Sequence, residues 1–309
     1  MTPSPALRAA TKAQGGAALL INARARSGAR AEALAVEALR SHGLQLDEVV
    51  HVRHPAQLHD SVEALVKQGM ARIIIGGGDG TLSSVVPQFV ARDVLLGILP
   101  LGTANDLART LGISSDLTQA AQVAAGDHVE RIDLATANGV PFLNVASVGL
   151  SVATTARVSA RMKRWLGPAA YALAGAIEFV SHVPFIAAID STGEPVAQTV
   201  HQLIVGNGRF FGGGVLVAQG STLHDGSLSV YTLGARGRMH LLRTMVLLRL
   251  QVPLHHPGDS FTESLRVVVA THPAGLPVNL DGEIRTQTPV VFTVNPGAVR
   301  VLAPRPAEA

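Results

Sequence analysis

The chain has 309 residues, 47% of them hydrophobic and 15% charged, and it contains no cysteine. That length predicts two domains with ample core, and the missing thiols exclude disulfides and thiolate metal sites. A formal charge of +3, from 25 basic and 22 acidic side chains, is too slight to argue for nucleic acid as a partner.

The ends, residues 1–14 and 303–309, read as disordered. A buried strand is expected over 17–21 and an Ala/Leu helix over 29–41, then a strand over 46–52 and a helix over 56–68. A third strand, 72–75, runs into a glycine cluster, with a helix from Thr81. A fourth, 94–99, precedes Gly102-Thr103 and a short helix over 104–111. Alternating strand and helix imply a parallel sheet covered on both faces, which binds ligands beyond the carboxyl ends of its strands. The pattern changes near Asp127. Asn138-Gly139 between strands at 128–137 and 142–147 is a strong hairpin signal. Helical stretches follow over 152–164 and 168–182. Strands then dominate, at 185–190, 196–205, 227–233, 266–270, 278–280 and 290–294, interrupted by an amphipathic helix over 239–250. The fold class is therefore an N-terminal parallel α/β domain (15–130), Rossmann-like in architecture, followed by a mainly antiparallel β-sandwich domain (131–303). No segment approaches 18 uninterrupted apolar residues, so no membrane-spanning helix is expected, and 17–21 is too short for a signal peptide. The mean hydropathy of +0.31 leaves contact with a membrane surface open.

Gly76-Gly77-Gly78-Asp79-Gly80-Thr81 follows a strand directly. Glycines let backbone N–H groups approach phosphate oxygens, the helix beginning there adds a positive dipole end, and Asp79 can hold Mg²⁺. A tight strand-to-helix turn with Asp79 as its cap accounts for the same residues on structural grounds alone. Gly102-Thr103-Ala104-Asn105-Asp106 repeats the arrangement at the next strand end; by itself it reads equally well as a Thr103 N-cap with Asp106 completing a capping box. The conjunction of two such loops at neighbouring strand ends of one sheet points to a phosphate site. The 12 histidines form no helical i, i+4 pair, so zinc is not expected.

Gly77 to Thr81 followed by Gly102 to Asp106 resembles the diacylglycerol kinase catalytic-domain family, especially the soluble bacterial lipid kinases. Further matches follow in family order: Asn144 to Gly149, Lys163 to Tyr171, Gly206-Asn207-Gly208-Arg209 with Gly212 to Gly214, Asp225 to Leu228, and Asp281-Gly282-Glu283. The resemblance spans roughly residues 17–302. It implies an ATP-dependent kinase that phosphorylates a diacylglycerol-like lipid in a cleft between its domains, with ATP and Mg²⁺ as cofactors. It also implies nucleotide contacts from Asn22, Ser27, Gly28, Gly77, Gly78, Asp79, Gly80, Thr81, Leu82, Ser83, Gly102, Thr103 and Asn105. Asp79 would act with the metal, and the base would be either Asp281 or Glu283. A remote structural Mg²⁺ is implied at Asp225 with the backbone carbonyls of Thr222 and Ser227. The implied setting is cytoplasmic, at the inner face of the membrane, with a second copy of the chain as a further candidate partner. Read from its own side chains, the basic stretch of Arg157, Arg161, Lys163 and Arg164 with Trp165 suits anionic lipid head groups, and it reads equally well as a solvated helix end. The sequence departs from the family in three places. Asn22-Ala23-Arg24-Ala25-Arg26-Ser27-Gly28 replaces a shorter Asn-Pro-x-Ser-Gly loop, Ser83-Ser84 replaces Asn-Glu, and Gln219-Gly220-Ser221 replaces Pro-x-Ala. Alternative readings are a sphingoid-base kinase, a nicotinamide-nucleotide kinase (which lacks the Gly-Thr-Ala-Asn-Asp loop), and a non-catalytic regulator that binds lipid or nucleotide.

Overall fold

A computed structural model describes residues 15–22, 28–54, 56–152, 182–208, 210–211, 215–216, 222–235, 237, 243 and 260–306. The expectations for Ser27, the helices beyond residue 152, the basic stretch 157–165, Gly212 to Gly214, Gln219 to Ser221, and 239–250 apart from residue 243 lie outside these residues. The chain divides into two units, one of residues 1–133 with 297–309, the other of residues 134–296.

In the first unit, strands β1 (Gly16–Asn22), β2 (Glu48–Val52), β3 (Met70–Gly77) and β4 (Leu95–Pro100) alternate with helices α1 (Gly28–Ser41), α2 (Ala56–Lys67) and α3 (Asp79–Val85). The strands lie in the order β2-β1-β3-β4, all parallel. Their centres are continuous apolar runs because helices cover both faces; Ile73, Ile74 and Ile75 are fully buried. Helix α2 shows its Leu58, Val62 and Leu65 at i, i+4, i+7 to the core. Two further helices follow β4, α4 (Asp106–Thr110) and α5 (Leu117–Ala125). The latter packs on α1 and β4 and was not anticipated from the sequence. It begins at Asp116, whose Oδ1 accepts the N–H of Gln119 at 3.0 Å. The chain leaves β1 toward β2 on one side and returns to β3 on the other, so the topological switch lies between the ends of β1 and β3.

The second unit is antiparallel. Its strands are the later part of β5 (Val129–Ala137), then β6 (Val140–Phe142), β7 (Val145–Gly149), β8 (Phe185–Asp190), β9 (Val196–Gly206), the short pair β10 (Phe210–Phe211) and β11 (Val215–Leu216), β12 (Leu228–Gly234), β13 (Ser260–Ser264), β14 (Arg266–His272), β15 (Pro277–Leu280), β16 (Glu283–Gln287) and the first part of β17 (Val290–Leu302). Strand β9 organises the unit: its first half pairs with β8, and its second half lies between β7 and β12. Inward residues include Leu203, Val205, Val267, Val269 and the edge-to-face pair Phe142–Phe292, with ring centroids 6.3 Å apart. The expected hairpin forms at Asn138-Gly139, with both residues at positive φ and Ala137 opposite Val140.

The chain is thus an α/β unit with a parallel sheet plus an antiparallel β-sandwich-like unit. Strand β17 differs from expectation. It does not stop at residue 294 but continues through Pro296-Gly297 to Leu302, and Val301 pairs in parallel with Leu96 of β4. The end of the last strand therefore belongs with the first compact unit. Gly297 donates to the buried Asp133 carboxylate there, at 2.7 Å.

Candidate functional site

The two glycine loops of the first unit meet. Strand β3 delivers Gly77, whose carbonyl accepts the N–H of Leu101 at 2.9 Å, so the loop after β4 is tied to the loop after β3. The contact is backbone on backbone. A Cβ added to Gly78 would lie 2.9 Å from Gly102 Cα, and one added to Gly102 would lie 2.5 Å from Gly78 Cα. No side chain fits at either position. Gly77 is also closed to a side chain, since Thr81 Cβ would lie 2.6 Å from it. At Gly80 a Cβ would meet nothing within 4 Å, and the residue is exposed. Packing does not require a glycine there.

Asp79 opens α3, yet it does not cap that helix, whose N-cap is Gly78. Its Oδ1 instead accepts the N–H of Leu107, in the first turn of α4, at 3.2 Å. Helix α4 needs this because its own N-cap residue, Asn105, is left-handed at φ +52° and makes no side-chain cap. The Asn105 side chain turns back to accept from the Gly102 N–H at 3.0 Å and donate to the Gly102 carbonyl at 3.1 Å. The capping box suggested for Thr103 and Asp106 is therefore not formed; the helix starts later, at Asp106, and Asp79 supplies the acceptor from the other loop. Asn22, at the end of β1 beside the topological switch, donates from Nδ2 to Thr81 Oγ1 at 3.0 Å. Asn22, Gly77, Gly78, Asp79, Gly80, Thr81, Gly102, Thr103 and Asn105 thus belong to one edge of one sheet, with Gly102 and Thr103 exposed. The Leu82 side chain is core, at 1% exposure. Ser83 is half-buried on α3, and Ser84 Oγ binds back to the Gly80 carbonyl at 2.8 Å. Gly28 begins α1.

In the second unit, Asp281-Gly282 is a two-residue hairpin turn joining β15 to β16, with φ of +49° and +96° and Leu280 opposite Glu283. The two acids of this segment are used differently. Asp281 turns inward: Oδ2 accepts from the Leu143 N–H at 2.7 Å, and Oδ1 from Asn144 and Val145 at 2.9 and 3.1 Å. Its own N–H donates to the Val145 carbonyl, and Gly282 donates to Asn279 Oδ1 at 2.8 Å. Asn207 completes the cluster, donating from Nδ2 to the Leu143 carbonyl at 2.8 Å and from its N–H to the Asn144 carbonyl at 2.9 Å. Three motifs distant in sequence are brought together here, a role for Asn144 and Asn207 that spacing alone did not disclose. Glu283 points outward, 64% exposed, and pairs with Arg285 at 2.7 Å. Arg285 was also missed, since one arginine on a strand carries no signal of its own.

In the Asp225 loop, Thr222 and Ser227 meet Asp225 through N–H and hydroxyl groups: Oδ2 accepts both donors of Thr222, at 2.8 and 3.3 Å, and Oδ1 both donors of Ser227, at 2.9 and 3.0 Å. Four donors around one carboxylate close this turn. Among the described residues no three His, Asp or Glu side chains gather as a metal site, and no helix is long and apolar enough to cross a membrane.

Comparison with known proteins agrees with this layout. Residues 16–137 match the model of the diacylglycerol kinase catalytic domain, and residues 144–303 that of the YegS C-terminal NAD kinase beta sandwich-like domain. A Pseudomonas aeruginosa (strain UCBPP-PA14) protein named "Probable lipid kinase YegS-like" is 38% identical over 257 residues, covering 79% of this chain and 80% of the relative. The chain belongs to the YegS-like lipid kinase family. A Pseudomonas fluorescens (strain Pf-5) relative of the same name is 35% identical over 276 residues, covering 87% of this chain and 89% of its own. A crystal structure of a diacylglycerol kinase from Bacillus anthracis str. Sterne shares the fold, with a TM-score of 0.74 at 19% identity over 95% of this chain and 98% of that one. A second structure from that organism reaches 0.79 at 21% identity over 95% and 96%. In this YegS-like chain the paired glycine loops fall within the catalytic-domain match and the acidic hairpin within the C-terminal match.

Proposed function

We propose that the protein transfers the γ-phosphate of ATP to the hydroxyl of diacylglycerol or a closely related lipid. The observation that carries this reading is the backbone contact between Gly78 and Gly102, which joins two glycine loops into one edge beside the switch point of a parallel sheet. There Gly80 and Thr103 are exposed and ready to meet phosphate oxygens. Asp79 suits the Mg²⁺ that travels with the nucleotide. Its Oδ1 is fixed by Leu107, and no described residue bonds its Oδ2, so one oxygen orients the carboxylate and the other would be left to hold a cation. Bound Mg²⁺ would neutralise charge on the phosphates.

Glu283 is the proton acceptor in this reading. The support is that both Asp281 oxygens are already taken by N–H groups of its own unit, whereas Glu283 is exposed. As the lipid oxygen forms its bond to the γ-phosphorus, the hydroxyl proton passes to Glu283 and the bond to the β-phosphate oxygen breaks, releasing ADP. The family's lipid kinases supply the class of acceptor, and diacylglycerol is carried over from the relatives' domain description. A peripheral position on an anionic membrane follows from such a substrate. The test is incubation of the purified protein with γ-labelled ATP, Mg²⁺ and total lipid extract, then thin-layer separation. Label in the organic phase running with phosphatidic acid is expected. Retained ATP binding with no labelled lipid would replace this reading by that of a regulator.

A further inference from the structure

The acidic hairpin carries a second charged side chain that the reaction as described does not use. Arg285 stands two positions beyond Glu283 on β16, so the alternation of a strand puts both on one face. Its Nε and Nη2 both donate to Glu283 Oε2, at 3.1 and 2.7 Å. The two donors converge on a single oxygen, and among the described residues none binds Oε1. A general base works when one oxygen is fixed in direction while the other faces the proton it removes, and bases are commonly oriented by a third group.

We propose that Arg285 is a positioning residue for Glu283, gripping Oε2 so that Oε1 is presented to the lipid hydroxyl. This rests on Glu283 being the proton acceptor. The alternative account, a surface ion pair that steadies the hairpin, has little to explain. The hairpin is already fixed by the Asp281 contacts to residues 143–145 and by Asn279 on Gly282. Both side chains are also substantially exposed, where an ion pair adds little to stability. Across the hairpin, Glu283 faces Leu280 and Arg285 stands near the Val278–Asn279 irregularity of β15, so β15 brings no competing charge against the pair.

The test uses the full chain with Mg²⁺-ATP and the lipid that accepts label. Arg285→Met should lower kcat roughly 10- to 100-fold, the scale of a misplaced catalytic group, with the KM for ATP and the melting temperature unchanged. Arg285→Lys should recover part of the loss, since an ammonium can still hold one oxygen. Wild-type kcat in Arg285→Met would overturn the proposal, as would a loss that appears only in the KM for ATP or that lysine does not relieve at all. Glu283→Gln, run in parallel, separates the two assignments. Full activity there removes the base and this inference together, whereas an inactive Glu283→Gln beside an unaffected Arg285→Met removes the inference alone.

Discussion

Gly80 and Gly102 look alike in the sequence, yet the structure asks different things of them. At Gly102 a methyl group would press on Gly78 Cα at 2.5 Å and Asn105 Oδ1 at 2.7 Å, and the backbone there has nowhere to retreat. Gly102→Ala should therefore destabilise by about 1–3 kcal/mol, the range for overpacking, read as a lower melting temperature. Gly80→Ala meets open space and should melt with the wild type while ATP affinity falls, because the added methyl occupies the surface a phosphate would use. Equal nucleotide binding by Gly80→Ala would take the phosphate away from this loop. Asp79 can be divided in the same way. Asparagine keeps an oxygen for the Leu107 N–H but loses the charge, so Asp79→Asn should keep its stability and lose turnover. Asp79→Ala should lose turnover and also cost about 1 kcal/mol of stability for the missing helix-end acceptor. A turnover in Asp79→Asn close to wild type would exclude the metal-linked role. The sequence disclosed which residues gather here through their types and order. It did not disclose who bonds to whom: Asn105 reads as a first-turn helix residue until its left-handed backbone is seen, and the acceptor for α4 comes from a loop 28 positions away.

The same division between local and distant information runs through the elements. Two hairpin turns have signatures of two residues each, and Asn138-Gly139 was legible because flanking alternation and left-handed residues are all local. Helix α5 was legible in principle: Asp116 followed three residues later by Gln119, before an alanine-rich run, is a helix start. Strand β16 was hidden because its pattern, half polar and mostly exposed, resembles a loop. The consequence of Asp281 could not be read at all, since its partners lie 136 to 138 positions back. That linkage makes the two acids separable by stability. Asp281→Ala strands three N–H groups that lose their acceptor, which should cost about 2–4 kcal/mol at the usual 1–3 for each buried unsatisfied group, some of them reaching water instead. Glu283→Gln, on an exposed strand position, should leave the melting temperature unchanged and remove most of kcat. Were Asp281→Ala to melt like the wild type and Glu283→Gln to melt far below it, the inward and outward assignments of the two carboxylates would have to be exchanged.

At the scale of the molecule the chain passes between units at residues 133–134 and again at 296–297, so the first unit is closed by its own C-terminal segment. The sequence reading missed the second passage because Pro296-Gly297 looks like the end of a strand, and only the partner Leu96 reveals the continuation. Beyond β17, Arg305 donates from Nη2 to Asp127 Oδ1 at 2.7 Å, tying the tail to the segment just before β5. That hydrogen bond, followed by the attraction of the guanidinium charge, lowers the Asp127 pKa from its ordinary value of 3.8 and raises that of Arg305. A carboxylate depressed by folding binds protons more readily when unfolded, so its stabilisation is complete above the unfolded value and is lost as pH falls through the folded one. Arg305 stays charged throughout this range. Melting curves of the wild type and Arg305→Ala should therefore be separated at neutral pH, with the wild type higher, and should converge as the pH drops below about 3.8. The gap should be small and should shrink in high salt, since both groups are exposed. A gap that persists unchanged into strong acid would mean that Arg305 acts by packing its aliphatic stem and not through Asp127.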